Sequence, residues 1–522
     1  MFHTSRKPGL CSRLFMPLVM ALSVLALLTT LVPASASNPA LDAAPAPTQS
    51  PVLPNIVASP VGPWLILSWN DLGMHCMNRN HANLSVLPPY NNLVAQVIHR
   101  GDATHLPQIV TSGVTLGYSI PGNTESVSKT DFWTYAPLLF GVNLPPNIGL
   151  GGKGLTGTLD PVDTYFTAIG IPITPYPDAT PNVEDPYQLA LLVATDGVGT
   201  ELARSTPVIP VSTELSCVSS GCHTSESQIL NNHPREQGFD PAVRPILCAR
   251  CHADPALGTT GNSEASWFSF RMHDQHKFMD QEYSGEALCY KCHPGQNAQC
   301  LRGAMNTRFG LICQDCHGTM SVVSGSIEHF GRIPWANEPA CRTCHTDRFG
   351  EPVGQLFRNS FGHGGVMCAG CHGSPHNEFP SREPRDNANM IALQGHAGTL
   401  ADCSVCHGVA PDGLGPHELR ASGVIDQEIL GGVPRVHITP NPTSGPCAVE
   451  VTTSRAAQGT LMVFDAQGRA VRLLKPGEVG IDRATARWDG RDSQGRPVSP
   501  GVYFVRWVDG VERAGGKILV VK

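Results

Sequence analysis

The spacing of the cysteines constrains this chain more than any other feature. Of its 18 cysteines, twelve fall in six copies of the pattern C-x-x-C-H. These are Cys248, Cys251 and His252; Cys289, Cys292 and His293; Cys313, Cys316 and His317; Cys341, Cys344 and His345; Cys368, Cys371 and His372; and Cys403, Cys406 and His407. A seventh group, Cys217, Cys222 and His223, has the wider form C-x-x-x-x-C-H. Many cysteines in an exported chain would first suggest disulfides. Close pairs followed at once by a histidine ask for different chemistry. The chain has 21 histidines in 522 residues, yet one fills this position in all seven groups.

That order suits covalent attachment of haem. Two thiols bond to the two vinyl-derived carbons, and the imidazole of the next residue reaches the iron as proximal ligand. Seven haem c groups are expected, on the fourteen cysteines above, with His223, His252, His293, His317, His345, His372 and His407 proximal. Zinc is the competing reading, because the gap from Cys292 to Cys313 is near that of a zinc ribbon. Zinc, however, does not require a histidine directly after the second cysteine. Apart from Cys11, the cysteines left over are Cys76, Cys300 and Cys447. Three is odd, so at most one disulfide forms among them.

The second axial ligands follow from a count. Residues 217–419 hold fifteen histidines, and eight are not in motifs: His233, His273, His276, His329, His363, His376, His396 and His417. Eight spare imidazoles for seven irons predict bis-histidine, low-spin iron at most or all haems, with no open site. One of the close pair His273 and His276 is expected to be left over. No spare histidine lies between His293 and Cys313, so at least one ligand comes from a distant part of the chain; Met305 is the only local substitute there.

Residues 1–36 read as a signal peptide. Arg6 and Lys7 precede an almost wholly apolar stretch at residues 14–32, and Ala34-Ser35-Ala36 fits a signal-peptidase site. No later stretch approaches the roughly 20 apolar residues that span a bilayer. Residues 37–60, rich in Pro and Ala, read as a linker. Residues 61–213 lack motifs and carry short apolar runs bounded by Gly, Pro and Asn, among them Trp64-Leu65-Ile66-Leu67 and Leu93-Val94-Ala95-Gln96-Val97-Ile98. These are strand signals. Met74-His75-Cys76-Met77 with His81 raises a copper or haem-ligand hypothesis, against which a turn with one thiol and surface histidines is the favoured reading. In residues 214–420 the motifs recur every 24 to 41 residues. A chain this poor in apolar runs cannot bury a conventional core, so the porphyrins would be the core. This segment resembles the multihaem c-type cytochromes.

After a linker at residues 421–436, residues 437–522 alternate apolar and polar positions, as in Cys447-Ala448-Val449-Glu450-Val451-Thr452 and Val502-Tyr503-Phe504-Val505-Arg506-Trp507. That is a small β-sandwich pattern. It resembles the C-terminal sorting domains of type IX secretion substrates and the related Ig-like module of flagellar hook-capping proteins. The residues that carry the likeness are Asn441-Pro442, Asp465-Ala466-Gln467-Gly468-Arg469, Trp488-Asp489-Gly490-Arg491-Asp492, Gly495 and Gly501-Val502-Tyr503. The resemblance implies passage across an outer membrane and display on, or release from, the cell surface, with the periplasm as the alternative location. An ordinary Ig-like binding module is the competing reading.

The expected fold is thus multidomain: a β-rich N-terminal domain, a loop-rich, haem-packed multihaem cytochrome c domain with short helices, and a C-terminal Ig-like β-sandwich. Charged residues are 15% of the chain and the formal charge is −7, so nothing points to nucleic acid. Haem iron shuttles electrons when both axial positions are filled and does chemistry when one is open. Electron transfer to or from other redox proteins or extracellular acceptors is the leading expectation. The alternative is a multihaem oxidoreductase with one open-coordination haem acting on a small inorganic substrate. Some multihaem reductases mark such a haem with a lysine in place of the motif histidine, and no C-x-x-C-K occurs here. Surface attachment and oligomer formation stay open.

Overall fold

A computed structural model of the chain describes residues 62–418, apart from 216, 236–238, 296, 410 and 412–414, and residues 435–521, apart from 453–458, 466–468, 476–477, 480–482 and 509–512. The signal peptide, the first linker and most of the second lie outside the described residues.

The apolar runs of the N-terminal region form two antiparallel sheets. One contains Trp64–Trp69, Asn91–His99, Tyr165–Ile171 and Asp160–Val162 in that order, with Gln108–Ile109 also pairing Asn91–His99. The other contains Glu201–Ser205, Leu191–Asp196, Val114–Ser119 and Thr156–Thr158. Side chains alternate between the faces of a strand, and alternate residues Leu93, Ala95 and Val97 of the first sheet join Phe166, Leu116, Tyr118, Leu192 and Ala194 in one buried core.

The opposite face of the first sheet is also covered. Leu65, Leu67, Trp69, Val94 and Ile98 pack with Met367, Ala369, Phe379, Met390, Leu393 and Val405, which belong to the last two motif regions. Two covered faces explain why Leu93–Ile98 reads as a continuous apolar run, as in a strand buried on both sides. Residues 61–213 and the end of the motif segment therefore share a core. Gly370 lies so close to this sheet that a Cβ there would stand 3.2 Å from the Trp69 ring.

Polar groups fasten the same contact. Gln96, fully buried in its strand, accepts a hydrogen bond from Met367 N (2.9 Å) and donates to Gly365 O (3.1 Å), just before Cys368. Arg100 Nη2 donates to Ser404 O (2.7 Å), and Gly101 N to Cys406 O (2.8 Å), inside the last motif. Deeper still, the Arg302 guanidinium meets the Asp386 carboxylate through two bonds of 2.7 and 2.9 Å, and its Nη1 donates to Gly73 O (2.7 Å).

The region of Met74 to His81 differs from its expectation. His75–Cys76 is a short strand running parallel to Val211–Ser212. Met74, His75, Met77 and His81 are buried, not surface groups on a turn: Met77 sits in the sandwich core, Met74 packs with Tyr187 and Val208, and His81 lies against the Phe132 ring. His75 Nε2 is bonded to Asp71 Oδ1 at 2.8 Å, which gives it a structural partner.

The motif segment consists of short helices joined by loops, the longest being Met320–Phe330 with Thr319 as its N-cap. The C-terminal region is a separate Ig-like sandwich of two four-stranded sheets. Its core is built from alternating residues: Cys447, Val449, Val451, Leu461, Val463, Trp488, Tyr503, Val505 and Trp507. The residues that carry its family likeness have visible roles. Asn441 clamps the last strand by donating to Lys517 O (2.6 Å) and accepting from Leu519 N (2.8 Å). Trp488 Nε1 donates to Arg491 O at 2.9 Å, and Asp492 accepts from Gln494 N and Arg496 N across the following turn.

Candidate functional site

Each motif is closed by its own backbone. His252, His293, His345 and His407 each donate N–H to the carbonyl of the first cysteine of their motif, at 2.9–3.0 Å. Cys313–His317 and Cys368–His372 are single turns of α-helix. One helical turn puts residues i, i+3 and i+4 on a common side, so both thiols and the imidazole of a C-x-x-C-H motif gather at one place. The wide motif reaches the same closure by another path. His223 N still bonds Cys217 O (3.1 Å), and the two extra residues are taken up in a turn where Gly221 adopts φ 79°. That left-handed conformation favours glycine.

Six motif imidazoles face a second imidazole from elsewhere in the chain. The ring-centre separations are 6.2 Å for His223 and His276, 6.0 Å for His252 and His233, and 6.2 Å for His293 and His273. They are 6.2 Å for His317 and His376, 5.9 Å for His372 and His417, and 6.0 Å for His407 and His363. Two imidazoles on one first-row metal, with bonds of ~2.0 Å and ~1.1 Å more from each nitrogen to its ring centre, stand roughly 6.2 Å apart. The ring-centre spacing therefore matches that of two imidazoles sharing one iron.

The tautomers fit as well. Nδ1 of His233, His252, His273, His276 and His417 lies 2.7–3.2 Å from a backbone carbonyl oxygen. A carbonyl can only accept, so each Nδ1 carries a hydrogen, and the lone pair of the neutral ring is then on Nε2. This is the arrangement that orients metal-bound histidines. Burial lowers the pKa of His293, His317 and His372 to about 4, so these rings are neutral at neutral pH. His376 departs from this. Burial pushes its pKa down, but the Cys300 sulfur and then the Glu378 carboxylate outweigh that effect and lift it to about 9.

Among the described residues, no group of three or more His, Cys, Asp or Glu is arranged to hold a bare metal ion. A haem iron asks the protein for only two axial donors. Large apolar side chains stand exposed along the motif segment, including Met272 (39%), Phe278 (54%), Phe309 (66%), Val322 (56%) and Val353 (79%). These are groups that a flat apolar cofactor can cover.

Several motifs lie close enough for their thiols to act on one another. Burial is the first cause of the raised pKa of Cys248, Cys292, Cys316 and Cys371, and a thiol of an adjoining motif adds to it in every case. The adjoining thiols are Cys217, Cys217 with Cys222, Cys344 and Cys406 respectively. Cys289 and Cys313 are hydrogen-bonded, and His345 and His372 both sense His417.

The expected surplus histidine differs. His273 and His276, on the helix Phe268–His276, both face motif rings. The histidines that face none are His329 and His396, both on the surface. Sequence reasoning also missed Glu351, a carboxyl group only 3% exposed that lies close enough to act on both Cys341 and His345. A lone glutamate beyond a motif carries no signal by itself.

Residues 439–508 match the FlgD Ig-like domain family. Among solved structures, the chain has limited similarity to dimeric latent PorU from Porphyromonas gingivalis, at 19% identity over 17% of this chain and 9% of that one, with a TM-score of 0.15. It is similar to PorZ of the same organism, described as an essential surface component of the type-IX secretion system, at 20% identity over 22% of this chain and 16% of that one, with a TM-score of 0.14. The matched stretches are a small part of either protein. No curated protein matches the chain.

Proposed function

We propose that this chain is an exported electron-transfer protein holding seven c-type haems. The observation that carries the reading is the set of six imidazole pairs at 5.9–6.2 Å, each joining a motif histidine to a distant one. Haem iron supplies one-electron redox chemistry, and axial histidine pairs favour shuttling over substrate binding. The chain's own residues attach, orient and space the groups. Backbone carbonyls set the Nε2 lone pairs, and the N-terminal sandwich holds the last two motifs rigid through Gln96 and Arg100. Optical redox titration of the purified protein tests the reading: seven electrons per chain are expected, over a range of low potentials. Uptake of none would defeat it.

The location is part of the same proposal. Among the described residues no helix is long and apolar enough to cross a membrane. The tail residues that resemble sorting domains, together with the family match, support delivery to the cell surface. Deleting residues 438–522 is expected to leave a haem-loaded protein trapped in the periplasm. Unchanged surface exposure of the truncated chain would make the tail a binding module instead.

A further inference from the structure

Fifteen histidines lie in residues 217–419, and every one is among the described residues. Twelve form the six facing pairs. The other three do not meet. His345 belongs to a motif, yet no histidine ring among the described residues faces it. The ring it senses, His417, is the one facing His372 at 5.9 Å. His329 has its Nε2 3.2 Å from the Glu328 carboxylate, with 66% of its side chain exposed. His396 is exposed, its Nδ1 3.0 Å from Ala397 O.

We propose that the haem attached to Cys341 and Cys344 keeps an exchangeable sixth coordination position, open to one small lone-pair donor. This rests on the seven-haem reading above and departs from it at one centre. The surroundings of that motif support it independently. Glu351, buried beside Cys341, has an Oε2 with no hydrogen-bond partner. Buried polar atoms are nearly always paired, so an orphan invites a function; here it is a free acceptor next to the one motif without an opposing imidazole. A haem held there by His345 alone would be able to bind a small inorganic ligand.

The test uses the full haem-loaded protein, with carbon monoxide as the probe of reduced iron and cyanide as the probe of oxidised iron. Intact mass comes first. A chain with no haem overturns both readings before any probe is added. With seven haems attached, one high-spin ferric haem in seven is expected by EPR, with one carbon monoxide bound per chain. Seven low-spin haems and no bound probe would overturn the open site while leaving the electron-transfer reading intact. H329A and H396A are each expected to leave the count at one. A rise to two in either variant shows that the histidine removed is a ligand, and overturns the assignment of open and paired centres. A count that appears only on dilution shows closure by a second copy, and also overturns it. E351Q is expected to move the stretching frequency of the bound carbon monoxide; an unmoved band would remove Glu351 from the site.

Discussion

Replacing Arg302 with alanine destabilises the joined sandwich and motif segment by about 3–5 kcal/mol, because it strands a buried carboxylate. Arg302 and Asp386 have side chains 1% and 0% exposed and meet through two bonds. Asp386 also accepts from Asn377 Nδ2 (3.1 Å) and Ser381 Oγ (2.6 Å), and the guanidinium lies 4.7 Å over the Tyr187 ring. The pair thus gathers residues of the motif segment around the Gly73 carbonyl of the N-terminal region. Removing both charges together, as in R302M with D386L, is expected to recover much of the loss, since a buried pair replaced by apolar groups is often neutral. Guanidinium unfolding followed by tryptophan fluorescence measures both. A single-variant loss below about 1 kcal/mol, the range of an exposed ion pair, would show that the pair does not fasten these regions.

The second large effect falls on the helix Phe268–His276. It carries two candidate ligands for different motifs, His273 opposite His293 and His276 opposite His223. H273A and H276A are each expected to convert one further haem to the high-spin state, and the double variant two. Magnetic circular dichroism counts them. The potential of the affected haem should rise as a donor is lost. No change in H273A would mean that His293 is paired by some other residue, and the facing rings would lose their meaning.

Part of the local structure was legible in the sequence for specific reasons. C-x-x-C-H is a local pattern, and in Cys313–His317 and Cys368–His372 a single helical turn gathers its three side chains. The alternation in Cys447–Thr452 and Gly501–Val508 likewise reads directly as half-buried strands, and both are strands with alternating burial. The distal pairs were not legible, because they are decided by tertiary packing. His317 meets His376 from 59 positions away, and nothing local distinguishes His376 from His396. Counting spare imidazoles led to one surplus histidine; the geometry leaves two, with one motif unmatched. The boundary near residue 213 shows the same limit. The continuous apolar run Leu93–Ile98 signalled a strand covered on both faces, but its second cover comes from Met367, Met390 and Val405, some 270 residues or more further on.

Intact mass under denaturing conditions tests the central claim most directly, because thioether attachment survives unfolding while axial ligation does not. From a host with c-type maturation, the expected product is a chain beginning near Ser37 with seven haems added, all fourteen motif cysteines resistant to alkylation. Six haems, with Cys217 and Cys222 alkylated, would remove only the wide motif. A chain with no added haem, its motif thiols free or released from zinc by a chelator, would contradict the account.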